Sequence, residues 1–478
     1  MRILLLSMPD ITPSSADSML LPWLGIASLA GNINLDENNI QIADLVLRRK
    51  DYRKFLSDLL LREKYDLVGL SGMTCSVQTA IEIARFIKEN FPHILIVLGG
   101  FMALCHDDEL IQPDIARWID FLVRGEAEMT FNELINTLQQ GGDFQKINGI
   151  SYKINGEFHH TLPRQLADLS RIKLPNRPAR ILKRGFHFWG QPADVVETSR
   201  GCTFNCSFCC VTRQYGRVYR EFALDRVLSD IEKVYADGTR FIVLVDDNIT
   251  LNVKRLETLC DDLINARFRN LKFFAQAAVK PIANNPELVK KMRQAGFELV
   301  FLGLENLIER NLKFLNKKTS GFELAQKAIH NLKQEKIITT AGIIMGNPED
   351  SAEDLWQNYQ LIRDLKVDLP NFMTLTPFPK TKIRDELEQQ GLLTNPTDYK
   401  RYDLIQANVK TKYLSDQELF RLVKLFFRKY YFSWKFIIFN RMLRRHLGYA
   451  VRYTLNEGID WFRKKLHLKK FSPNQFQE

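Results

Sequence analysis

Cys202-Thr203-Phe204-Asn205-Cys206-Ser207-Phe208-Cys209 puts three thiols within eight residues, at the spacing C-x3-C-x2-C. One loop of that length wraps a metal cluster with three thiolates and leaves a fourth position open to a small molecule. A closed zinc site wants a fourth Cys or His, either the adjacent Cys210 or a distant histidine. The plain alternative is three buried structural cysteines. Against it, the chain of 478 residues holds only seven cysteines, and closely spaced Cys runs are metal signatures first. The motif follows Glu197-Thr198-Ser199-Arg200-Gly201, itself preceded by the apolar run Ala193 to Val196.

Downstream of this loop, strand and helix patterns alternate. Strands are expected at 195–199, 241–246, 272–276, 299–304, 340–345 and 372–376, with helices at 224–236, 253–266, 286–294, 322–335 and 352–365. Six such units make a partial parallel (β/α)6 barrel of the TIM type over residues 191–390, whose chemistry gathers at the carboxyl ends of its strands. Those ends are polar: the cysteine loop, Asp246-Asp247-Asn248, Gln276, Gly303-Leu304-Glu305-Asn306, Gly346-Asn347-Pro348-Glu349-Asp350 and Pro377-Phe378-Pro379. A helix cap would explain one of them, Asp247-Asn248. Six facing one rim read as a site.

Upstream, residues 1–145 alternate apolar runs (3–6, 40–45, 67–71, 94–98, 119–123) with helical patterns (24–33, 52–62, 77–90, 109–118). That rhythm predicts a doubly wound, Rossmann-like parallel sheet, with its ligand beyond the carboxyl ends of the strands. Neither G-x-G-x-x-G nor G-x4-G-K-[ST] stands at those ends, which excludes the usual dinucleotide and nucleoside triphosphate grips. Small residues stand there instead: Ser71-Gly72, Gly99-Gly100 and Gly125, with Thr74 and Glu126 beside them. They let a bulky ligand approach the backbone. Residues 146–190 read as a linker carrying a hairpin about Asn155-Gly156, with His159-His160 as exposed strand positions.

The formal charge is +11, and its excess gathers in a C-terminal region, 391–478, that is expected to be helical. There Phe420, Phe426, Phe427, Tyr430, Tyr431, Trp434, Phe436 and Phe439 interleave with Arg421, Lys424, Arg428, Lys429, Lys435, Arg441, Arg444 and Arg445. Three readings compete: a helical lid on the barrel, a membrane-surface helix, and a single-stranded nucleic-acid binder. No nucleic-acid module is recognisable, so nucleic acid is not an expected partner. No stretch has eighteen uninterrupted apolar residues, and unpaired cysteines suit a reducing cytoplasm, so a cytoplasmic enzyme with peripheral membrane contact is expected. The first residues read as a buried strand rather than a signal peptide.

The cysteine spacing, with Phe208 before the last thiol, resembles the signature of the radical S-adenosylmethionine (SAM) superfamily. The resemblance implies a 4Fe-4S cluster on Cys202, Cys206 and Cys209, SAM chelated at the open iron, and SAM cleavage to a 5'-deoxyadenosyl radical. It places SAM contacts at Phe208, Asp246, Asp247, Asn248, Gly303, Glu305, Gly346 and Pro348. Pro377-Phe378-Pro379-Lys380-Thr381 is similar to the family's P-F-P-G-T turn, with Lys380 in place of glycine. Arg217, Arg220 and Glu221 are read as surface pairs or as contacts to the SAM carboxylate. The N-terminal loops resemble the cobalamin-binding domain of class B radical SAM enzymes. That implies corrin contacts at Ser71, Thr74, Gly99, Gly100, Gly125 and Glu126. D-x-H-x-x-G is missing, and Met102-Ala103 stand after Gly99-Gly100 where a histidine is usual, with His106 further on.

The stretch from Thr198 through Val245-Asp246-Asp247-Asn248 is similar to the branch holding anaerobic magnesium-protoporphyrin monomethyl ester cyclase and the cobalamin-dependent methylases. The expected activity is methylation of an unactivated carbon or oxidative cyclisation of a small apolar or anionic molecule. An electron donor such as flavodoxin or ferredoxin is the implied partner. A tRNA-modifying enzyme and a non-catalytic cobalamin or redox sensor are the alternatives.

Overall fold

The computed structural model describes residues 1–10, 18–317, 320–433 and 436. Two parallel sheets face each other through their carboxyl-end loops.

The first sheet has seven strands, in the spatial order Asn39–Asp44, Arg2–Ser7, Leu67–Ser71, Leu95–Gly99, Phe121–Val123, Ile150–Ile154 and Glu157–His160. The first five run parallel in the doubly wound order 2-1-3-4-5, so the crevice opens where the order reverses, beside Ser7 and Ser71. These strands read as continuous apolar runs because helices cover both faces; Leu67–Ser71 is buried at every position. The helices Tyr52–Arg62 and Val77–Asn90 lie where apolar periodicity puts them. The helix expected over 109–118 is instead two short pieces, Asp107–Leu110 and Pro113–Ala116. Pro113 lacks the N–H that would continue the first.

The Asn155-Gly156 hairpin forms, with both residues at positive φ. It joins the sheet antiparallel to Phe121–Val123 and thus forms part of its edge. His159 and His160 are exposed on that edge.

The second sheet carries six parallel strands in consecutive order: Gln191–Val196, Phe241–Leu244, Lys272–Ala277, Phe297–Glu305, Ile338–Met345 and Leu369–Thr374. They form a half-barrel, extended antiparallel at its first edge by His187–Phe188 and then Met19–Leu20. Ile338–Met345 is buried along its whole length. Around it, helices such as Val253–Ala266 present Leu256, Leu259, Cys260 and Leu263 to the core at i, i+3, i+4, i+7. Asn252 caps that helix by accepting from Arg255 N. Each fully buried Leu or Ile contributes about 1.5–3 kcal/mol, which makes this shell the rigid base of the rim.

The helix Asp416–Tyr431 starts at a capping box between Ser415 and Glu418 and buries Leu419, Val423, Phe426 and Tyr430. Phe426 stacks on Tyr359 with ring centroids 5.0 Å apart, and Tyr431 Oη donates to Pro370 O at 2.9 Å. These aromatics serve barrel packing. The tail expectations that rest on Trp434, Lys435, Phe439, Arg441, Arg444 and Arg445 lie outside the described residues. No described helix is long and apolar enough to cross a membrane.

Candidate functional site between the two strand rims

The cysteine loop grows from the end of the first barrel strand. Ser199–Arg200 pairs antiparallel with Arg220–Glu221, so residues 201–219 form a loop closed at its base. Gly201 turns into it at φ 87°, where a Cβ would collide with Val218 O. Ser207 N donates to Leu315 O at 3.2 Å, Ile383 N donates to Ser207 O at 3.1 Å, and Asn316 Nδ2 donates to Asn205 O at 2.6 Å. Phe208 packs against the barrel core. The loop is thus anchored by three separate elements.

Cys202, Cys206 and Cys209 are half-buried, and burial pushes all three thiols up, Cys209 to about 12. A thiol in that environment stays protonated until a metal displaces the proton. Cations and donors stand ready to offset the resulting charge. Lys317 lowers the thiol pKa of both Cys202 and Cys206, and the Asn248 amide lowers that of Cys202. Burial pulls the Lys317 ammonium down, yet Glu305 at 3.0 Å and the two thiols carry it above its usual range. Lys317 lies over the Phe204 ring, 6.0 Å from its centroid. No sequence pattern marked this lysine. Among the described residues, no three Cys, His, Asp or Glu side chains converge on one ion-sized point. Three thiols spread along one loop fit a multi-iron cluster, which takes one thiolate per iron.

The polar strand ends divide. Asp246 is fully buried and turned inward; its carboxylate accepts from Thr198 N at 3.1 Å, from Thr198 Oγ1 at 2.6 Å and from Ser199 Oγ. Asn248 Oδ1 accepts from Thr250 N at 3.1 Å, Thr250 Oγ1 at 2.7 Å and Ala278 N at 3.3 Å. Both residues hold turns. Asp247, between them, faces the rim and accepts from Gly201 N at 2.9 Å; burial raises its carboxyl to about 6. Glu305 sits at φ 61° in a bulge, and a Cβ on Gly303 would lie 2.7 Å from its Oε1. Gly346 and Pro348 are buried. Gly346 packs against Leu419, and the Asp350 carboxylate gathers Gly346 N at 3.2 Å and Asn347 N at 2.9 Å. Lys380 keeps the left-handed conformation of the glycine it replaces, at φ 59°, and its ammonium pairs with Asp107 and with Asp108 at 2.9 Å in the first domain.

Opposite lies the rim of the first sheet, and between the two rims is a cavity of about 600 Å³. Ser71, Gly100, Gly125 and Glu126 line it on one side; Val195, Glu197, Ser199, Val245 and Asp247 line it on the other. Thr74 and Gly99, expected to touch the same ligand, are not among the lining residues. Gly100, at φ 76°, lies so close to Ser71 that a Cβ would be 2.9 Å from its Oγ, whereas a Cβ on Gly125, at φ 86°, would meet nothing within 4 Å. Trp23 Nε1 donates to Ser71 Oγ at 3.1 Å. Glu126 is committed to Arg220 and Arg200. Among the described residues no histidine lines the cavity; His106 is buried edge-on against Tyr399, ring centroids 4.3 Å apart. Open glycine backbone beside a cavity of this size would suit a broad macrocycle such as a corrin.

Comparison with known proteins agrees with this geometry. Residues 196–362 match the Radical SAM superfamily, and residues 18–135 match the B12 binding domain. An uncharacterized methyltransferase of Pyrococcus horikoshii is 26% identical over 436 residues, covering 91% of this chain and 92% of the relative. The anaerobic magnesium-protoporphyrin IX monomethyl ester cyclase of Rubrivivax gelatinosus is 27% identical over 420 residues, covering 85% and 74%. The radical SAM methyltransferase TsrM of Kitasatospora setae, solved with cobalamin and a [4Fe-4S] cluster, shares the fold at TM-score 0.65 and 18% identity, covering 81% and 75%. The chain is therefore a radical SAM enzyme with an N-terminal B12-binding domain, homologous to the anaerobic cyclases and the cobalamin-dependent methylases, with a 4Fe-4S cluster, SAM and cobalamin as its cofactors.

Proposed function

We propose that this enzyme methylates an unactivated carbon of an apolar small molecule held between the two rims. One observation carries the reading: a single cavity is bounded by the carboxyl ends of both sheets. When bound, cluster and SAM supply a 5'-deoxyadenosyl radical and the corrin supplies a methyl group. The chain's own residues bind, orient and exclude water. Cys202, Cys206 and Cys209 would hold the cluster, with Lys317 the cation that offsets its charge. Asp247 and Glu305 are the rim carboxylates left to take the amino group of SAM, and Gly303 keeps the room for it. Asp246, Asn248, Gly346 and Pro348 act from behind, by shaping the turns. Ser71, Gly100 and Gly125 give the corrin its bed, and Thr74 and Gly99 support it. Leu21, Leu24, Phe101, Tyr215 and Val245 give the cavity apolar walls, which favour an apolar substrate. The tetrapyrrole of the cyclase relative is of that kind. The cluster must be reduced, so an acidic one-electron carrier such as flavodoxin or ferredoxin belongs to the same reading.

The test is anaerobic turnover with SAM deuterated at its methyl group and an apolar metabolite extract. A methylase passes the whole label to a new product and releases 5'-deoxyadenosine. An unlabelled, oxidised product would favour the cyclase activity. Exposed Arg421, Lys424, Arg428 and Lys429 on the last described helix support weak docking to an anionic membrane that delivers such a substrate. Co-sedimentation with anionic liposomes, absent with neutral ones, is the expected result.

A further inference from the structure

Arg200 stands two residues before Cys202, and it is buried. Its Nη1 donates to Glu126 Oε1 at 3.1 Å; its Nη2 donates to Glu128 Oε1 at 2.6 Å and to Glu197 Oε1 at 2.7 Å; its Nε donates to Glu197 Oε2 at 2.9 Å. Arg220, its partner across the two-stranded base of the cysteine loop, grips Glu126 with both terminal nitrogens, at 3.0 and 2.7 Å. Ala167 N donates to the same Glu126 carboxylate at 2.9 Å, and Ser28 Oγ donates to Glu128 Oε1 at 2.8 Å. Two guanidinium groups from the barrel thus meet two carboxylates from the first domain and one from the barrel, with water largely excluded. Arg200 is held above its usual range by Glu197 and Glu128 despite burial, and Glu128 below its own by Arg200.

Gly125-Glu126-Ala127 is at the same time a wall of the cavity on the corrin side. One short loop therefore touches the corrin bed with one face and grips the base of the cysteine loop with the other. Breaking a buried pair of this kind strands an uncompensated charge, so the pairs move together or not at all. We infer that the Arg200–Arg220–Glu126–Glu128 network is a positioning device that couples corrin binding in the first domain to ordering of the cysteine loop, residues 199–221. It rests on the cofactor reading above, and it adds that the two cofactor sites are energetically linked. Linkage is reciprocal: a corrin that orders the loop must itself bind more tightly when the loop is already ordered by its cluster.

Hydrogen exchange with mass analysis reads this without turnover. The cluster-free protein is compared with and without hydroxocobalamin, followed by the corrin absorption spectrum. Bound corrin should slow exchange of peptides from 199–221 about tenfold, a coupling of ordinary allosteric size. Glu126→Gln and Glu128→Gln should each still bind corrin but lose that slowing, and Arg220→Lys should restore less than half of it. In the reverse direction, reconstituting the cluster should tighten corrin binding by the same factor in the unaltered protein and not in Glu126→Gln. Corrin bound with unchanged exchange at 199–221 would overturn the coupling, as would full slowing in both glutamine variants. Should either variant fail to fold, exchange in the unaltered protein decides alone. No corrin bound to the unaltered protein would overturn the cofactor reading itself and the coupling with it.

Discussion

The two rims that face each other solve the same problem in opposite ways. The first sheet ends in residues with little or no side chain, Ser7, Ser71, Gly72, Gly100 and Gly125, and leaves backbone open to the cavity. The barrel ends in charged and amide side chains, and half of them turn away from the cavity to tie the loops that carry them. Asp246 binds Thr198 and Ser199, Asn248 binds Thr250, and Asp350 binds Gly346 and Asn347. A polar rim is therefore largely a scaffold. Of the remainder, Asp247 lines the cavity, while Glu305 is paired with Lys317. The first rim commits Glu126 and Glu128 to Arg200 and Arg220 and leaves its small residues on the cavity.

The largest effect should come from the thiols. Cys202→Ala, Cys206→Ala and Cys209→Ala should each leave no bound cluster and no 5'-deoxyadenosine. Cys210→Ala should keep both, because Cys210 faces Cys105 of the first domain instead. Iron and sulfide content after anaerobic reconstitution checks this, and cluster loss with Cys210→Ala would break the three-ligand assignment. Next come the paired aspartates. Asp246→Ala strands the donors on Thr198 and Ser199, a cost of about 1–3 kcal/mol for each unsatisfied group, and should lower the thermal midpoint by several degrees. Asp247→Asn should leave the midpoint nearly unchanged and weaken SAM binding at least tenfold by calorimetry. Equal thermal losses would erase the distinction between scaffold and presented residues.

A smaller effect separates two glycines of the first rim. Both sit at positive φ, so alanine strains either by about 1 kcal/mol. At Gly100 the added methyl also meets Ser71 Oγ and Gly72 O, whereas at Gly125 it meets nothing. Gly100→Ala should therefore lose more thermal stability. Gly125→Ala should lose little but bind hydroxocobalamin several-fold more weakly, because its methyl points into the cavity.

Most of this architecture was legible in the chain. The helices Leu224–Ala236, Val253–Ala266, Pro286–Gln294 and Ala352–Leu365 lie where apolar periodicity puts them, because an amphipathic stripe against a sheet leaves little choice. The 109–118 helix failed on a signal that was present, Pro113. Which strand-end residues face the cavity was not legible. Asp246 and Asp247 lie on the turn beyond the strand Phe241–Leu244, and the path of that turn, which the sequence does not state, decides that the first faces Thr198 and Ser199 and the second the rim. Partners distant in sequence were hidden too: Arg200 and Arg220 meet Glu126 across 74 and 94 residues. Lys317 belongs to no motif, and its role comes only from its position over the Phe204 ring and beside Glu305.

Besides Glu126 and Glu128, the first rim buries Asp44, whose titration gives the subtlest test. Asp44 is buried behind Ser7 and Trp23, accepting from Ser7 Oγ at 3.0 Å and from Trp23 N at 2.8 Å. Burial outweighs these bonds and the Arg180 guanidinium 4.0 Å away, and raises the carboxyl from 3.8 to about 6. The folded protein thus keeps this proton in a range where the unfolded chain has lost it. Where the folded state binds more protons, stability falls as pH rises. The contribution of Asp44 is harmless below about pH 4, worsens up to about pH 6, and stays at its full cost above, on the order of 3 kcal/mol. Asn at this position keeps an oxygen for Ser7 and Trp23 and carries no charge. Asp44→Asn should therefore melt a few degrees above the unaltered protein at about pH 7.5, and the gap should close at about pH 4. The thermal midpoint measured across that range checks it. A variant that melts lower at neutral pH would mean that Arg180 holds Asp44 as an ion pair. The first rim would then carry a second charged brace besides Glu126 and Glu128, and the contrast between the rims would narrow to the residues that face the cavity.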